Sequence, residues 1–415
     1  MNPILPKKYY IPDVEARQWN NGRMYLYGSN DWPGERYYCS DIYRVFSSDD
    51  LCVWRNEGIS FTGREEGENH AAEPGILYAP DCMYIDGKYY LFYCQSKGEE
   101  GIAVSDYPQG PFCGAKPIKY ADRTQIDPAV FVDDDGTVYY YWGQVSAKAG
   151  ILDIEKRAIK KETIIDGILT EKEHGFHEGI SMRKRNGIYY LVYTDISRGR
   201  ATSIGYATSL SPLGPFKKQG IIIDNTGCDP GSWNNHGSIA EFRGQWYVFY
   251  HRSTHNSEFS RRVCVEPIYF DENGLIREVE MTTQGIHGPI KASVCMDAAN
   301  ACLLHGGIYI DSDGKEETFY EYLGHIKSGD WAAYKYLQFD GRETALVIRC
   351  RKGKNCKVFV RLDNPEGQLI AQGNLRTGKN CMKLIKQVSG RHALYLCFDG
   401  TEEDLQIVDL QFAVG

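Results

Sequence analysis

Three carboxylic acids and a histidine stand at matched distances ahead of one recurring phrase. Asp13, Asp127 and Glu178 each lie nine positions before a glycine, at Gly22, Gly136 and Gly187, and His236 lies eight before Gly244. A further acid, Asp81, lies six before Gly87. Asp127 is embedded in an apolar run, Ile126-Asp-Pro-Ala-Val-Phe131, where an acid is costly unless it is paired, hydrogen-bonded or protonated. Carboxyl groups gathered at one point suit the hydrolysis of a glycosidic bond. One protonates the leaving oxygen, and another activates a water or attacks as a nucleophile. The proton donor needs a raised pKa, which a neighbouring carboxylate and partial desolvation supply. Glu15 is the rival of Asp13, because an extended chain puts residues two apart on one face. Asp13 is preferred because it shares the nine-residue offset.

The elements that position these groups are read from the phrase itself. Asn21-Gly-Arg-Met-Tyr, Asp86-Gly-Lys-Tyr-Tyr, Asp135-Gly-Thr-Val-Tyr, Asn186-Gly-Ile-Tyr-Tyr and Arg243-Gly-Gln-Trp-Tyr each combine a tight turn with an aromatic strand. Arg243-Gly244 is the weakest turn signal of the five. The period of roughly 50 to 65 residues is that of a four-stranded propeller blade. Equivalent positions of successive blades converge on one axis, so the acids and the histidine should meet at the mouth of a central channel. Acids on separated blades stand across that channel, which favours the wide gap that admits a water and inverts configuration. After Gly288-Pro289 the phrase disappears, and short alternating strands such as Lys357-Val-Phe-Val-Arg361 take over. The expected fold is therefore all-β: a five-bladed β-propeller over residues 1–291, followed by a β-sandwich of jelly-roll type over 292–415.

Composition narrows the partners. The net charge is -8 with no basic stripe, which argues against nucleic acid. No apolar run approaches the roughly 18 residues that span a bilayer, and the N-terminal residues lack a secretory core. Thirteen cysteines, an odd number without metal-ligand spacing, fit buried free thiols in a reducing cytoplasm. The 30 tyrosines suit half-buried pleated strands, and some can stack on sugar rings.

The phrases Ile11-Pro-Asp-Val-Glu-Ala-Arg-Gln-Trp19, Tyr78-Ala-Pro-Asp81, Ile126-Asp-Pro-Ala-Val-Phe131, His177-Glu-Gly179 and Asn234-Asn-His-Gly-Ser238 run in order through the first domain. In these the chain resembles glycoside hydrolase family 43, whose members are five-bladed propellers. The resemblance implies that Asp13 is the general base, Glu178 the general acid, and Asp127 the residue that sets the acid's pKa and orientation. It implies a channel histidine, His236, facing a hydrated metal ion, and hard oxygen groups nearby favour calcium over zinc. The chemistry as such calls for no cofactor. Asp81 matches a structural acid. Here Asp13 is followed by Val14 where the family more often has proline. Family members bind sugar hydroxyls with an arginine near Arg261-Arg262; alternation turns only one inward, and Arg262 is the expected one. Trp32, Phe61, Trp142 and Trp233 are candidate sugar platforms. In Ser328-Gly-Asp-Trp-Ala-Ala-Tyr-Lys335 and His392-Ala-Leu-Tyr-Leu-Cys-Phe398 the tail resembles a family 6 carbohydrate-binding module. The implied activity is release of pentose from arabinoxylan or arabinan fragments by an α-L-arabinofuranosidase. A β-xylosidase, an arabinanase and a non-catalytic glycan-binding propeller are the alternatives.

Overall fold

The computed structural model describes residues 1–97, 100–121, 126–313, 320–400 and 404–415. Five antiparallel sheets follow one another along the first two thirds of the chain. Their first strands are Glu15–Gln18, Asp81–Ile85, Ala129–Val132, Phe176–Arg185 and Ser238–Phe242. Each first strand packs beside those of the neighbouring sheets, and the fifth returns to the first, closing a ring. Five separate apolar cores fill the five gaps between successive sheets, the last joining Ile11, Leu26 and Phe46 to Phe242, Phe249 and Val265. This is a five-bladed propeller.

The turns explain why the repeated phrase reads so clearly. Asp86-Gly87, Asn186-Gly187 and Arg243-Gly244 all have positive φ at both residues, the two-residue hairpin geometry that matches strand twist. Arg243 adopts this conformation as the Asp and Asn do, so the weakest of the five signals still marks a hairpin. Each turn lies at the far end of an inner strand, so the residues ahead of that strand gather at the opposite end. The N-terminal residues join the outer strand of blade five. Ile4 donates its N–H to the Val263 carbonyl, and the buried Asn2 exchanges hydrogen bonds with the Val265 backbone.

The remaining strands form two facing sheets. One carries Trp331–Asp340, Ser389–Asp399, Cys356–Leu362 and Leu369–Leu375, and its first strand is Ile290–Lys291. The other carries Tyr309–Ser312, Glu321–Gly324, Gln406–Val414, Glu343–Lys352 and Gly378–Lys383. Their inner faces share one aliphatic core including Leu346, Ile348, Val358, Leu396 and Phe412. Among the described residues no helix is long and apolar enough to cross a membrane.

Candidate active site

The mouth of the ring collects the residues that stand just ahead of each inner strand. Asp13 and Asp127 lie two positions before theirs, and both hold left-handed backbones, with φ of 55 and 62. Asp is among the few side chains that tolerate this conformation. Gly179 has φ of 70 and follows Glu178, which sits at a bulge in the fourth inner strand. An added Cβ on Gly179 would come within 2.8 Å of His236 Cδ2 and of Thr194 Oγ1. The glycine therefore allows the fourth and fifth inner strands to approach closely.

Asp13 is buried, and Arg261 Nη1 donates to its Oδ1 at 2.9 Å. His251 Nδ1 lies 3.4 Å and His236 Nδ1 3.7 Å from the same oxygen. Burial pushes the Asp13 carboxyl up, but Arg261 and the other polar neighbours outweigh it and hold the group below the usual carboxylate range. Arg261 is itself fixed by Asp31, which accepts from Nε and Nη2 at 2.9 Å each. Burial lowers the His251 pKa to about 3, so this ring is neutral, with Nε2 lying 3.1 Å from the Asn234 carbonyl.

Asp127 has the opposite electrostatic setting. No cation pairs with its buried carboxyl among the described residues; the Gly179 N–H donates to Oδ2 at 3.1 Å. Burial, then the charges of Glu178, Asp13 and Glu100, push its pKa well above the usual range. Glu178 is only partly buried, and its Oε2 accepts from Gln144 Nε2 at 2.8 Å. The site thus brings together a carboxyl whose pKa is held down and a buried acid whose pKa is pushed up, with Glu178 the strongest of the charges acting on the second.

Glu15, the rival base, belongs to a different cluster deeper in the ring. It pairs with Arg17 at 3.1 Å and with Arg183. Arg17 forks onto Asp81 at 2.8 and 2.9 Å and also donates to the Val130 carbonyl at 3.1 Å. Two acids and two arginines thereby tie four inner strands across the axis.

Three expected substrate contacts fall elsewhere. Arg262 does not face the channel: it pairs with Glu321 of the sandwich, lies over the Tyr10 ring at 4.4 Å and donates to the Lys7 carbonyl. Strand alternation sends Arg261 inward instead. Phe61 is fully buried between blades one and two, against Tyr43 and Tyr93. Trp142 is buried between blades two and three, beside Tyr140. Both end strands whose faces point into the cores between blades. Trp32 and Trp233 are exposed on mouth loops, next to Asp31 and Asn234. Sequence reasoning missed Asp31, Gln144 and His251. A polar residue interrupting an aromatic strand, Phe249-Tyr-His-Arg252, was the available signal for His251.

Calcium takes six to eight oxygen ligands. His236 offers a nitrogen, its Nδ1 faces Asp13, and Asp13 is already held by Arg261. Among the described residues no group of three or more His, Cys, Asp or Glu could hold a metal ion. The residues present do not form a protein-coordinated calcium site.

The sequence profile of Glycosyl hydrolases family 43 matches residues 1–276. The chain belongs to glycoside hydrolase family 43. It is therefore a glycoside hydrolase, and residues 304–414 match the carbohydrate binding module of family 6. A xylosidase/arabinosidase of Thermoclostridium stercorarium is 32% identical over 96% of this chain and 96% of its own length. An arabinoxylan arabinofuranohydrolase of Bacillus subtilis is 27% identical over 92% of this chain and 86% of its own. Among solved structures, a family 43 β-xylosidase/α-arabinofuranosidase from a compost metagenome, in complex with xylotriose and described as calcium-free, matches with TM-score 0.58. It is 28% identical and covers 68% of this chain and 97% of that one.

Proposed function

We propose that this family 43 hydrolase is an inverting α-L-arabinofuranosidase that removes terminal pentose from short arabinoxylan or arabinan fragments. The observation that carries the reading is the contrast across one mouth: Arg261 is bonded to Asp13 and holds its pKa down, while Asp127 has no cation partner among the described residues and burial and Glu178 push its pKa up. Asp13 takes a proton from water as the water attacks the anomeric carbon. Glu178, on the more open side, delivers a proton to the departing oxygen. Asp127 fixes the acid's backbone through the Gly179 N–H and tunes the acid's pKa. Trp32 and Trp233 serve as platforms at the rim. The xylosidase/arabinosidase name of the Thermoclostridium relative, which matches across both domains, supports β-xylosidase as a second activity. A calcium ion near His236 would be held through water, given the donors there. Thirteen free cysteines support action in a reducing compartment such as the cytoplasm.

The test compares nitrophenyl α-L-arabinofuranoside and β-D-xyloside, with NMR of the first anomer released. Arabinofuranoside turnover with inversion is expected. Asp13→Asn and Glu178→Gln should each lose about 10²- to 10⁴-fold in rate while remaining folded. No turnover of any pentoside, or retention of configuration, would end the proposal.

A further inference from the structure

A cleft of about 830 Å³ lies between blades three and four, and the chemistry proposed for the mouth does not use it. Its volume falls in the range of roughly 300 to 1,000 Å³ usual for ligand pockets. Val145, Ser146, Glu171, Lys172, Glu173 and Lys218 are among its lining residues. Val145 is 49% exposed and has φ of 67, a conformation that a β-branched side chain adopts only under strain. Two backbone bonds hold it there. Its N–H donates to the His177 carbonyl at 2.7 Å, and its carbonyl accepts from the Glu171 N–H at 3.1 Å. The preceding residue, Gln144, grips the Glu178 carboxyl, and His177 precedes Glu178 in the chain. The strained apolar residue thus stands at the junction between the proton donor and the cleft. Strain of this kind persists where surrounding structure enforces it, and it concentrates at ligand clamps.

The leaving oxygen and everything attached to it must lie on the side from which the proton comes. The charged residues lining the cleft are two glutamates, Glu171 and Glu173, and two lysines, Lys172 and Lys218, so their formal charges cancel. Such a wall suits a neutral ligand rich in hydroxyls. We infer that this cleft is the leaving-group subsite, seating the neutral sugar chain from which the pentose is cut, with Val145 packed against the first sugar beyond the scissile bond. The inference rests on the pentosidase reading and adds the location and chemistry of the acceptor side.

The test uses Val145→Gly in the full chain, with arabinofuranosyl-xylotriose and nitrophenyl α-L-arabinofuranoside as substrates. Glycine keeps both backbone bonds and relieves the positive φ, so Tm should hold or rise. The ratio of kcat/KM on the oligosaccharide to that on the nitrophenyl glycoside should fall fivefold or more. A ratio that does not move, including equal losses on both substrates, overturns the inference while leaving the pentosidase reading intact. A wild-type protein inactive on both substrates removes that reading, and this inference with it.

Discussion

Arg261 keeps the proposed base ionised inside a buried site, and this dependence can be measured. A unit charge at about 4 Å contributes roughly 4 kcal/mol at an effective dielectric constant of about 20. Burial pushes the Asp13 carboxyl up and the guanidinium is the strongest effect against it, so losing that charge should raise the Asp13 pKa. Removing Arg261 alone would also strand the buried Asp31, so the useful variant is Asp31→Asn with Arg261→Met. The assay is kcat/KM on nitrophenyl α-L-arabinofuranoside from pH 4 to 9, expressed as the ratio of variant to wild type. The ratio should be lowest at the acid end, falling by up to about tenfold per pH unit as the base takes up a proton. By pH 8 most of that loss should be recovered. A ratio that is flat across the range would refute the argument, because it would mean that Arg261 shapes the site without setting the ionisation of its base.

Two further outcomes follow from the same geometry. Gly179→Ala places a methyl group 2.8 Å from His236 and Thr194 atoms at positive φ, so it should cost about 2 kcal/mol or more in chemical denaturation and lower kcat by displacing Glu178; wild-type stability would contradict the close approach of the two strands. His251 has a pKa of about 3 in place of 6.5, so between those pH values the unfolded chain binds a proton that the native ring refuses, and stability falls as pH falls. His251→Gln should flatten the acid side of the stability curve by up to about 1.4 kcal/mol per pH unit, and parallel curves for the two proteins would count against a buried neutral ring.

The propeller and the placement of its mouth residues were legible because a hairpin turn, an inner strand and the residue ahead of it have nearly fixed lengths. That spacing placed Asp13, Asp127, Glu178 and His236 at one mouth without any knowledge of side-chain contacts. What could not be read was parity and depth. Alternation said that one of Arg261 and Arg262 faces the channel, but the choice depends on the pairing of Arg261 with Ser253 and on an acid, Glu321, in the other domain. Phe61 and Trp142 have the composition of sugar platforms, yet their faces are set by neighbouring blades. Glu15 and Asp13 share a local face in sequence, and only the placement of Arg17 and Arg183 assigns Glu15 to the interior. Asp31 and Gln144 lie in loops, where no period exists to register them.

The Glu15–Arg17–Asp81–Arg183 cluster ties opposing strands below the level of Asp13 and Asp127. Buried charged side chains thereby bridge the interior of the ring where the first four inner strands meet. Four blades are pinned to one another in this way, and removing any one of these charges would leave a buried partner unpaired at a cost of about 3 to 5 kcal/mol.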